Sequence, residues 1–252
     1  MLKIFMSGLV LFFLLNPVVA FDTNSMLQTG NTHYVNNDFR RAADTWQQVA
    51  DSGFVAPELF FNLGNAYYKM NNYAVAILNY ERALLLDPGN KDARYNLEIA
   101  NAHVVDKIEP IPHFFFKRWA ENMVKATTSN NWAVLSIVAF ILFIILLMAY
   151  LFTRKAAIKK LTFYLALFFM LFSVASFVSA ARRKKMMVER NYAIIIAPSV
   201  TVKSSPNEYG TNLFILHEGT KVETADHIGD WFEIKISNGN KGWVPAASFE
   251  RI

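Results

Sequence analysis

Cysteine is absent from the 252 residues of this chain. Its absence excludes disulfides, thiolate metal sites, a cysteine nucleophile and lipidation at an N-terminal cysteine. Histidine is scarce as well, and the five histidines form no cluster with the spacing of metal ligands. The long apolar runs contain no acidic or basic side chain, and no nucleophile motif is present. The sequence therefore predicts a protein that is not an enzyme, with no catalytic residue, no metal site and no cofactor.

Basic residues outnumber acidic ones, 25 to 20, but they are not spread in the manner of a nucleic-acid-binding surface. Ten of the 25 flank apolar segments: Lys3, Arg154, Lys155, Lys159, Lys160, Arg182, Arg183, Lys184, Lys185 and Arg190. The rest of the chain is net acidic. We therefore interpret the basic residues as determinants of membrane orientation and expect no nucleic-acid partner.

Apolar residues are in excess, at 54% of the composition, and they concentrate in three segments. Residues 1–20 combine Lys3, an apolar run and small residues up to Ala20, which predicts a signal peptide; a retained anchor helix is the alternative. Residues 132–152 and 161–181 are each long enough to cross a hydrocarbon layer of about 30 Å. Eight residues separate these two segments, so the sequence predicts a transmembrane hairpin over residues 132–181, embedded in the lipid bilayer.

The predicted signal peptide sets the orientation of this hairpin. If residues 21–131 are exported, the hairpin loop is cytoplasmic, and the modules on both sides of the hairpin are periplasmic. The expected localisation is therefore the bacterial inner membrane, as a multi-pass protein. This orientation leaves the four basic residues of "RRKK" (182–185) on the outer face, against the usual bias of such residues towards the cytoplasm.

An internal repeat lies within residues 21–108. The segment "GNTHYVNNDFRRAADTWQQVA" (30–50) aligns with "GNAYYKMNNYAVAILNYERAL" (64–84) at an offset of 34 residues, with Gly30 on Gly64 and Trp46 on Tyr80. The second copy resembles the tetratricopeptide repeat, whose successive W, L-G, Y, A, F, A and P positions are occupied by Phe60, Leu63, Gly64, Tyr67, Ala76, Tyr80, Ala83 and Pro88. We expect an all-α module of two helix pairs and a capping helix, with small residues where paired helices approach closely.

Asn31 and Asn65 occupy equivalent positions in the two copies. Side-chain amides on the concave face of stacked repeats can hydrogen-bond to the backbone of a bound peptide. We therefore predict a peptide-binding groove formed by Asn31, Tyr34, Asn65, Tyr68 and Lys69. The alternative is a solvated helix face whose similarity reflects the common ancestry of the repeats.

Residues 109–131 join the repeats to the hairpin. Pro110 and Pro112 end the capping helix, and "FFFKRW" (114–119) then mixes aromatic with basic residues. This composition is typical of an interfacial helix or elbow in the headgroup region; a helix in a folded core is the alternative.

Residues 182–189 are interpreted as a linker, and short strands follow over residues 190–252. In "WFEIKI" (231–236), apolar Phe232, Ile234 and Ile236 alternate with the other three residues, and the turn residues 237–240 predict a hairpin. The motifs "VTVKSSP", "LHEGTKV", "GDWFEIKI" and "GWV" resemble a bacterial SH3-like domain, which implies a closed all-β barrel. Trp231 and Trp243 are predicted as a ligand platform for peptide or cell-wall material, with aromatic filling of the barrel as the alternative.

The order of these modules, together with "FFFKRW", is similar to the E component of the Bacteroides aerotolerance (Bat) proteins. The resemblance implies a multidomain inner-membrane scaffold that works beside membrane-anchored von Willebrand A-domain proteins and a MoxR-type ATPase. We therefore expect an adaptor that binds protein partners through both soluble modules. A membrane anchor that uses the SH3-like barrel to bind peptidoglycan is the alternative.

Overall fold

The computed structural model of the protein describes residues 22–109, 111 and 115–252. The predicted signal peptide over residues 1–20 lies outside the described residues, as do both prolines of the predicted elbow. The chain divides into two compact units, Met1–Phe54 and Val55–Ile252.

The first unit contains helices α1 (Thr23–Val35) and α2 (Phe39–Asp51). The side chains of Asp22 and Asp38 cap these helices by accepting hydrogen bonds from backbone N–H groups of the first turns. The two helices pack where Gly30 faces the buried indole of Trp46. The contact is so close that a Cβ at position 30 would collide with the ring, so glycine is required there.

The second unit begins with α3 (Pro57–Lys69), α4 (Tyr73–Leu86) and α5 (Lys91–Ala102). Gly64 faces Tyr80 just as Gly30 faces Trp46, 34 residues earlier. The turns correspond as well, since Asn37 and Asn71 have φ angles of 60° and 61° at the same place in each copy. The predicted all-α repeat region, its small residues at the close approach and the helix after Pro88 are thus confirmed.

Helix α6 (Phe115–Lys125) leads into two long apolar helices, α7 (Ser129–Phe152) and α8 (Ala156–Glu189). Both are long and apolar enough to cross a membrane. Helix α8 is longer than the predicted second span, residues 161–181. It starts at Ala156 and continues through residues 182–189, so the interpretation of that segment as a linker is wrong. No glycine or proline occurs within Ala156–Glu189, and the charged residues 182–185 are good helix formers, so one continuous helix over this range is favourable.

The two apolar helices pack through small side chains. The hydroxyls of Ser136 and Ser173 donate to each other's backbone carbonyl oxygens, at 3.0 and 2.9 Å. Small residues at the same contact are also buried: Ala139, Ala166, Ser176 and Ala180. Close packing of small and hydroxyl-bearing residues is the usual basis of helix association in lipid.

The C-terminal region is an antiparallel sheet with the order β3-β2-β6-β5-β4-β1-β7. Its strands are β1 (Tyr192–Ile195), β2 (Ser199–Lys203), β3 (Asn212–His217), β4 (Lys221–Ile228), β5 (Trp231–Lys235), β6 (Lys241–Pro245) and β7 (Phe249–Arg251). The hairpin predicted at residues 237–240 joins β5 to β6, with Gly239 at a φ of 88°. The predicted alternation in β5 is also confirmed, since Ile234 and Ile236 lie in the core.

The expected closed barrel is wrong, because the sheet is open. Among the described residues, the edge strands β3 and β7 do not pair with each other. Part of each edge is bonded to the helical region instead. Arg82 of α4 donates to the carbonyl oxygen of Arg251 in β7, and Asp106 accepts the N–H of His217 in β3.

One face of this sheet packs against the second repeat. Ile77 of α4, Ala100 of α5, Ile194 of β1 and the terminal Ile252 are buried in a common core. A separate core fills the concave side of the sheet and includes Val202, Ile234 and Val244. The second repeat and the sheet therefore form one packed body, which the sequence did not predict.

Candidate functional sites

Asn31 and Tyr34, the predicted groove residues of the first unit, lie on α1. Asn31 is exposed, whereas the Tyr34 ring is half-buried against Phe39 and Trp46, with centroid distances of 5.2 and 5.8 Å. Burial raises the pKa of the Tyr34 hydroxyl above its ordinary value. The amide of Asn31 is thus available to a ligand, while most of the Tyr34 ring supports α1 on α2.

Asn65, Tyr68 and Lys69, the predicted groove residues of the second unit, lie on α3. The Asn65 side-chain oxygen accepts two hydrogen bonds of 2.8 Å, from the Tyr80 hydroxyl and from the Asn96 amide. Asn65 therefore joins α3 to both following helices, and its NH₂ group is left without a partner among the described residues. Lys69 is exposed and likewise forms no ion pair there. The NH₂ group of Asn65 and the ammonium group of Lys69 are therefore free to donate to the carbonyl oxygen of a bound peptide. The peptide-binding groove formed by the five residues remains a prediction.

Trp231 and Trp243, the predicted platform, lie on adjacent strands. Trp243 pairs with Glu233, and Trp231 lies two residues before Glu233, so both indoles are on the same face of the sheet. Both are half-buried, and the opposite face carries the buried Ile234 and Val244. The two tryptophans are therefore outside the core of the sheet, and a ligand platform remains a prediction.

Helix α6 carries a solvent-exposed apolar stripe. Phe116, Trp119 and Met123 recur at helical spacing, with exposed fractions of 75%, 59% and 40%. The buried neighbour Val124 accepts a hydrogen bond from the indole of Trp132 at the start of α7, which holds the end of α6 close to the apolar hairpin. This arrangement is typical of a helix that lies at a membrane surface.

A cavity of about 410 Å³ lies where α4, α5, the end of α6, the end of α8 and β1 meet. Its basic lining residues are Arg94, Lys125, Arg183, Arg190 and Lys221. Its apolar lining includes Leu84, Leu85, Leu97, Met186 and Ile252. Glu81 is the acidic lining residue, and it pairs with Lys221 at 2.7 Å. We call this the interfacial cavity. No motif in the sequence predicts it, because its lining residues come from distant parts of the chain.

Arg183 is the most buried of these cations, with 5% of its surface exposed. Its Nη2 donates to the carbonyl oxygens of Leu84 and Leu85, at 3.3 and 2.8 Å, and so binds the C-terminal end of α4. Its Nε is buried and has no hydrogen-bond partner among the described residues. The "RRKK" motif marked this region in the sequence, but gave no means of distinguishing Arg183 from its three neighbours.

Asp106 forms a second contact between the helical region and the sheet. Its carboxylate accepts the N–H of His217 at 2.7 Å and the hydroxyl of Thr220 at 2.7 Å, and it lies 2.8 Å from Nδ1 of the His217 ring. Burial opposes ionisation, but the hydrogen bonds from His217 and Thr220, with the charge of His217, outweigh it and lower the pKa of Asp106. We call these three residues the Asp106 clamp.

The tetratricopeptide repeat family matches this chain over residues 27–69 and 57–90. These matches agree with the glycines, caps and turns described above. Tetratricopeptide repeats are not catalytic and form protein–protein interaction modules, so this helical region is such a module. No curated protein matches the chain.

Proposed function

We propose that this protein is an inner-membrane scaffold that binds protein partners through its repeats and its C-terminal sheet. The observation that carries the proposal is the combination of a tetratricopeptide repeat module with two helices able to cross a membrane. Binding through repeats needs no reactive group, and the exposed amide of Asn31 and the unpaired donors of Asn65 and Lys69 suit an extended peptide.

The packing within the second unit supports the proposal that the second repeat and the sheet lie on the same side of the membrane. Arg183, two residues beyond the apolar run 161–181, binds the end of α4, and the Ser129 hydroxyl donates to the Ala180 carbonyl oxygen. Both ends of the hairpin therefore meet at the helical region. With the predicted signal peptide, that side is the periplasm.

The same observation accounts for one of the four basic residues on the outer face, Arg183. Arg183 is held by backbone carbonyl oxygens of α4, so it is part of a structural contact rather than a free charge of the kind that determines topology. We therefore extend the proposal to a Bat-type aerotolerance complex, with von Willebrand A-domain membrane proteins and a MoxR-type ATPase as partners. This part rests on the resemblance in module order.

The proposal can be tested with a single cysteine, because the natural chain has none. Lys69→Cys is labelled in spheroplasts with a membrane-impermeant maleimide that carries a photoreactive group, and crosslinked proteins are then identified. We expect labelling without permeabilisation and crosslinks to membrane-anchored proteins. The control is Gln48→Cys, at an exposed position on α2 that is not one of the predicted groove residues.

A second arm combines the Lys69→Cys probe with Asn31→Ala and Asn65→Asp. Aspartate at position 65 keeps the oxygen that accepts from Tyr80 and Asn96 but removes the NH₂ donors, so the crosslink yield should fall while the melting temperature changes little. Labelling only after permeabilisation would contradict the periplasmic location. Equal crosslinking from positions 48 and 69 would contradict the groove, and recovery of peptidoglycan fragments in place of proteins would favour the cell-wall anchor.

A further inference from the structure

The interfacial cavity has an excess of positive charge that the protein itself does not neutralise. Of its five basic residues, Lys221 pairs with Glu81, and Arg94 donates to the backbone oxygen of Pro88. Lys125 and Arg190 form no ion pair with any described residue, and Arg183 contacts only carbonyl oxygens. Four cations therefore line one cavity without a carboxylate partner among the described residues. Arg94, Lys125 and Arg190 are exposed at its mouth, whereas Arg183 is buried, and a buried cation is costly unless an anion completes its surroundings.

Arg183 is the residue in the cavity that most favours a bound anion. The residue as a whole is 5% exposed, and its Nε is buried without a hydrogen-bond partner among the described residues. A buried cation with unused donors is the usual counterpart of a carboxylate or phosphate. The carbonyl oxygens of Leu84 and Leu85 satisfy part of its hydrogen-bonding capacity but carry no full negative charge.

With α7 and α8 spanning the membrane, on which this inference rests, the cavity lies at the depth of lipid headgroups. The charge-free run of α8 ends at residue 181, so Arg183 is roughly 3 Å further along the helix axis at a rise of 1.5 Å per residue. The exposed stripe of α6, Phe116, Trp119 and Met123, belongs to the helix whose last residue, Lys125, lines the cavity. Cations at the ends of apolar helices are favourable sites for lipid phosphates.

Much of the remaining lining is apolar, beside Glu81 and Asn191, which favours an amphiphile over a small soluble anion. Leu84, Leu85 and Met186 line the same cavity as the cations. An inorganic anion would gain nothing from these side chains, whereas the glycerol and upper acyl groups of a lipid would cover them.

We propose that the interfacial cavity binds the phosphodiester headgroup of an anionic phospholipid, with Arg183, Lys125 and Arg190 as its phosphate contacts. The lipid then completes the junction of α4, α8 and β1, so that the soluble body is joined to the bilayer by a bound lipid as well as by the hairpin. This inference is independent of which proteins the repeats bind.

The test uses the full-length protein in a neutral detergent, with phosphatidylglycerol or phosphatidylcholine added in equal amounts. Native mass spectrometry counts the lipids retained by each protein molecule. We expect retention of one phosphatidylglycerol, and a loss of about tenfold or more in the double variant Lys125→Gln, Arg190→Gln. Arg183 is left intact because its removal would also release the end of α4.

The matched control is Lys184→Gln with Arg154→Gln, which removes the same amount of charge from exposed positions that do not line the cavity. It should retain phosphatidylglycerol as the wild type does. Equal loss in both double variants, or equal retention of phosphatidylcholine, would overturn the proposal. Displacement of the lipid by equimolar glycerol phosphate would also overturn it and assign the site to a soluble phosphate ester.

Discussion

Gly64 shows how a single residue type is required by the repeat packing. A Cβ at this position would lie 2.5 Å from Cε1 of Tyr80, whose ring is 1% exposed and has no room to withdraw. Tyr80 also donates to Asn65, so a displaced ring would lose a hydrogen bond between α3 and α4. The sequence predicted this close approach because the glycine recurs at an offset of 34 residues.

We therefore expect Gly64→Ala to destabilise the protein. Overpacking costs about 1–3 kcal/mol, whereas alanine gains at most about 1 kcal/mol over glycine in helix propensity, so a net loss of up to about 2 kcal/mol is expected. The change can be measured by thermal unfolding of the full chain in detergent. The control is Gly89→Ala, at an exposed position where the new Cβ meets only the flexible carboxylate of Asp87, at 3.2 Å. Equal destabilisation by both variants would contradict the steric argument.

The role of Asn65 shows the limit of prediction at the residue scale. Its place in the repeat identified it as a groove residue, but the Asn96 amide that donates to its oxygen lies 31 residues away in α5. Periodicity predicts the face of a helix on which a residue lies, but not its polar partner on another element. The structure therefore adds a structural role to the predicted binding role.

At the scale of elements, the apolar composition of the sequence specifies the helices α7 and α8. A few small residues then determine where these two helices contact each other. Of the small residues near the end of α8, Ser176 is buried and Ala175 is exposed, although they are adjacent in sequence. The sequence located both apolar segments but placed their ends up to eight residues inside the helices of the structure. A hydropathy pattern records where the apolar residues stop, whereas a helix can continue through charged residues such as those of "RRKK", because arginine and lysine are good helix formers.

Ser176→Leu should weaken the hairpin. A leucine at this buried position must separate α7 from α8 or distort its rotamer, at a cost of about 1–3 kcal/mol. The comparison is Ala175→Leu, which adds the same side chain on the exposed face and should leave stability nearly unchanged. The midpoint of unfolding in an SDS titration of the full chain measures both effects. Similar midpoints for the two variants would exclude a packing role for the Ser176 face.

At the scale of the whole molecule, the described contacts make the second repeat, the hairpin and the sheet one body. Ile77 shares a core with Ile194, Lys221 pairs with Glu81, and Arg183 binds the end of α4. The sequence predicted the modules in order but not this association. The contacts join residues about 100 or more positions apart, and no local pattern encodes such pairs. The open sheet has the same origin, because its edge strands bond to helical elements that a barrel motif does not include.

The Asp106 clamp is the polar contact that holds β3 in this association, beside those of Arg82 and Lys221 elsewhere in the sheet, and Asp106→Ala should loosen β3 from the helical region. Removing the carboxylate leaves the N–H of His217 and the hydroxyl of Thr220 without their acceptor, and we expect a loss of about 2 kcal/mol. Hydrogen exchange of β3 in the full chain should then be faster. The control is Glu98→Ala, at an exposed carboxylate on α5 that has no ion pair among the described residues. Unchanged exchange in β3 would show that the apolar core alone holds the sheet.

The lowered pKa of Asp106 gives this contribution a defined pH dependence. A carboxyl group whose pKa is lower in the folded state stabilises the protein above its ordinary pKa of 3.8, and the stabilisation is lost as the pH falls through the lowered value. The difference in melting temperature between the wild type and Asp106→Ala should therefore be constant from about pH 7 to pH 5 and shrink only in stronger acid. A difference that already disappears near pH 6 would contradict a stabilising contribution from ionised Asp106 with a lowered pKa.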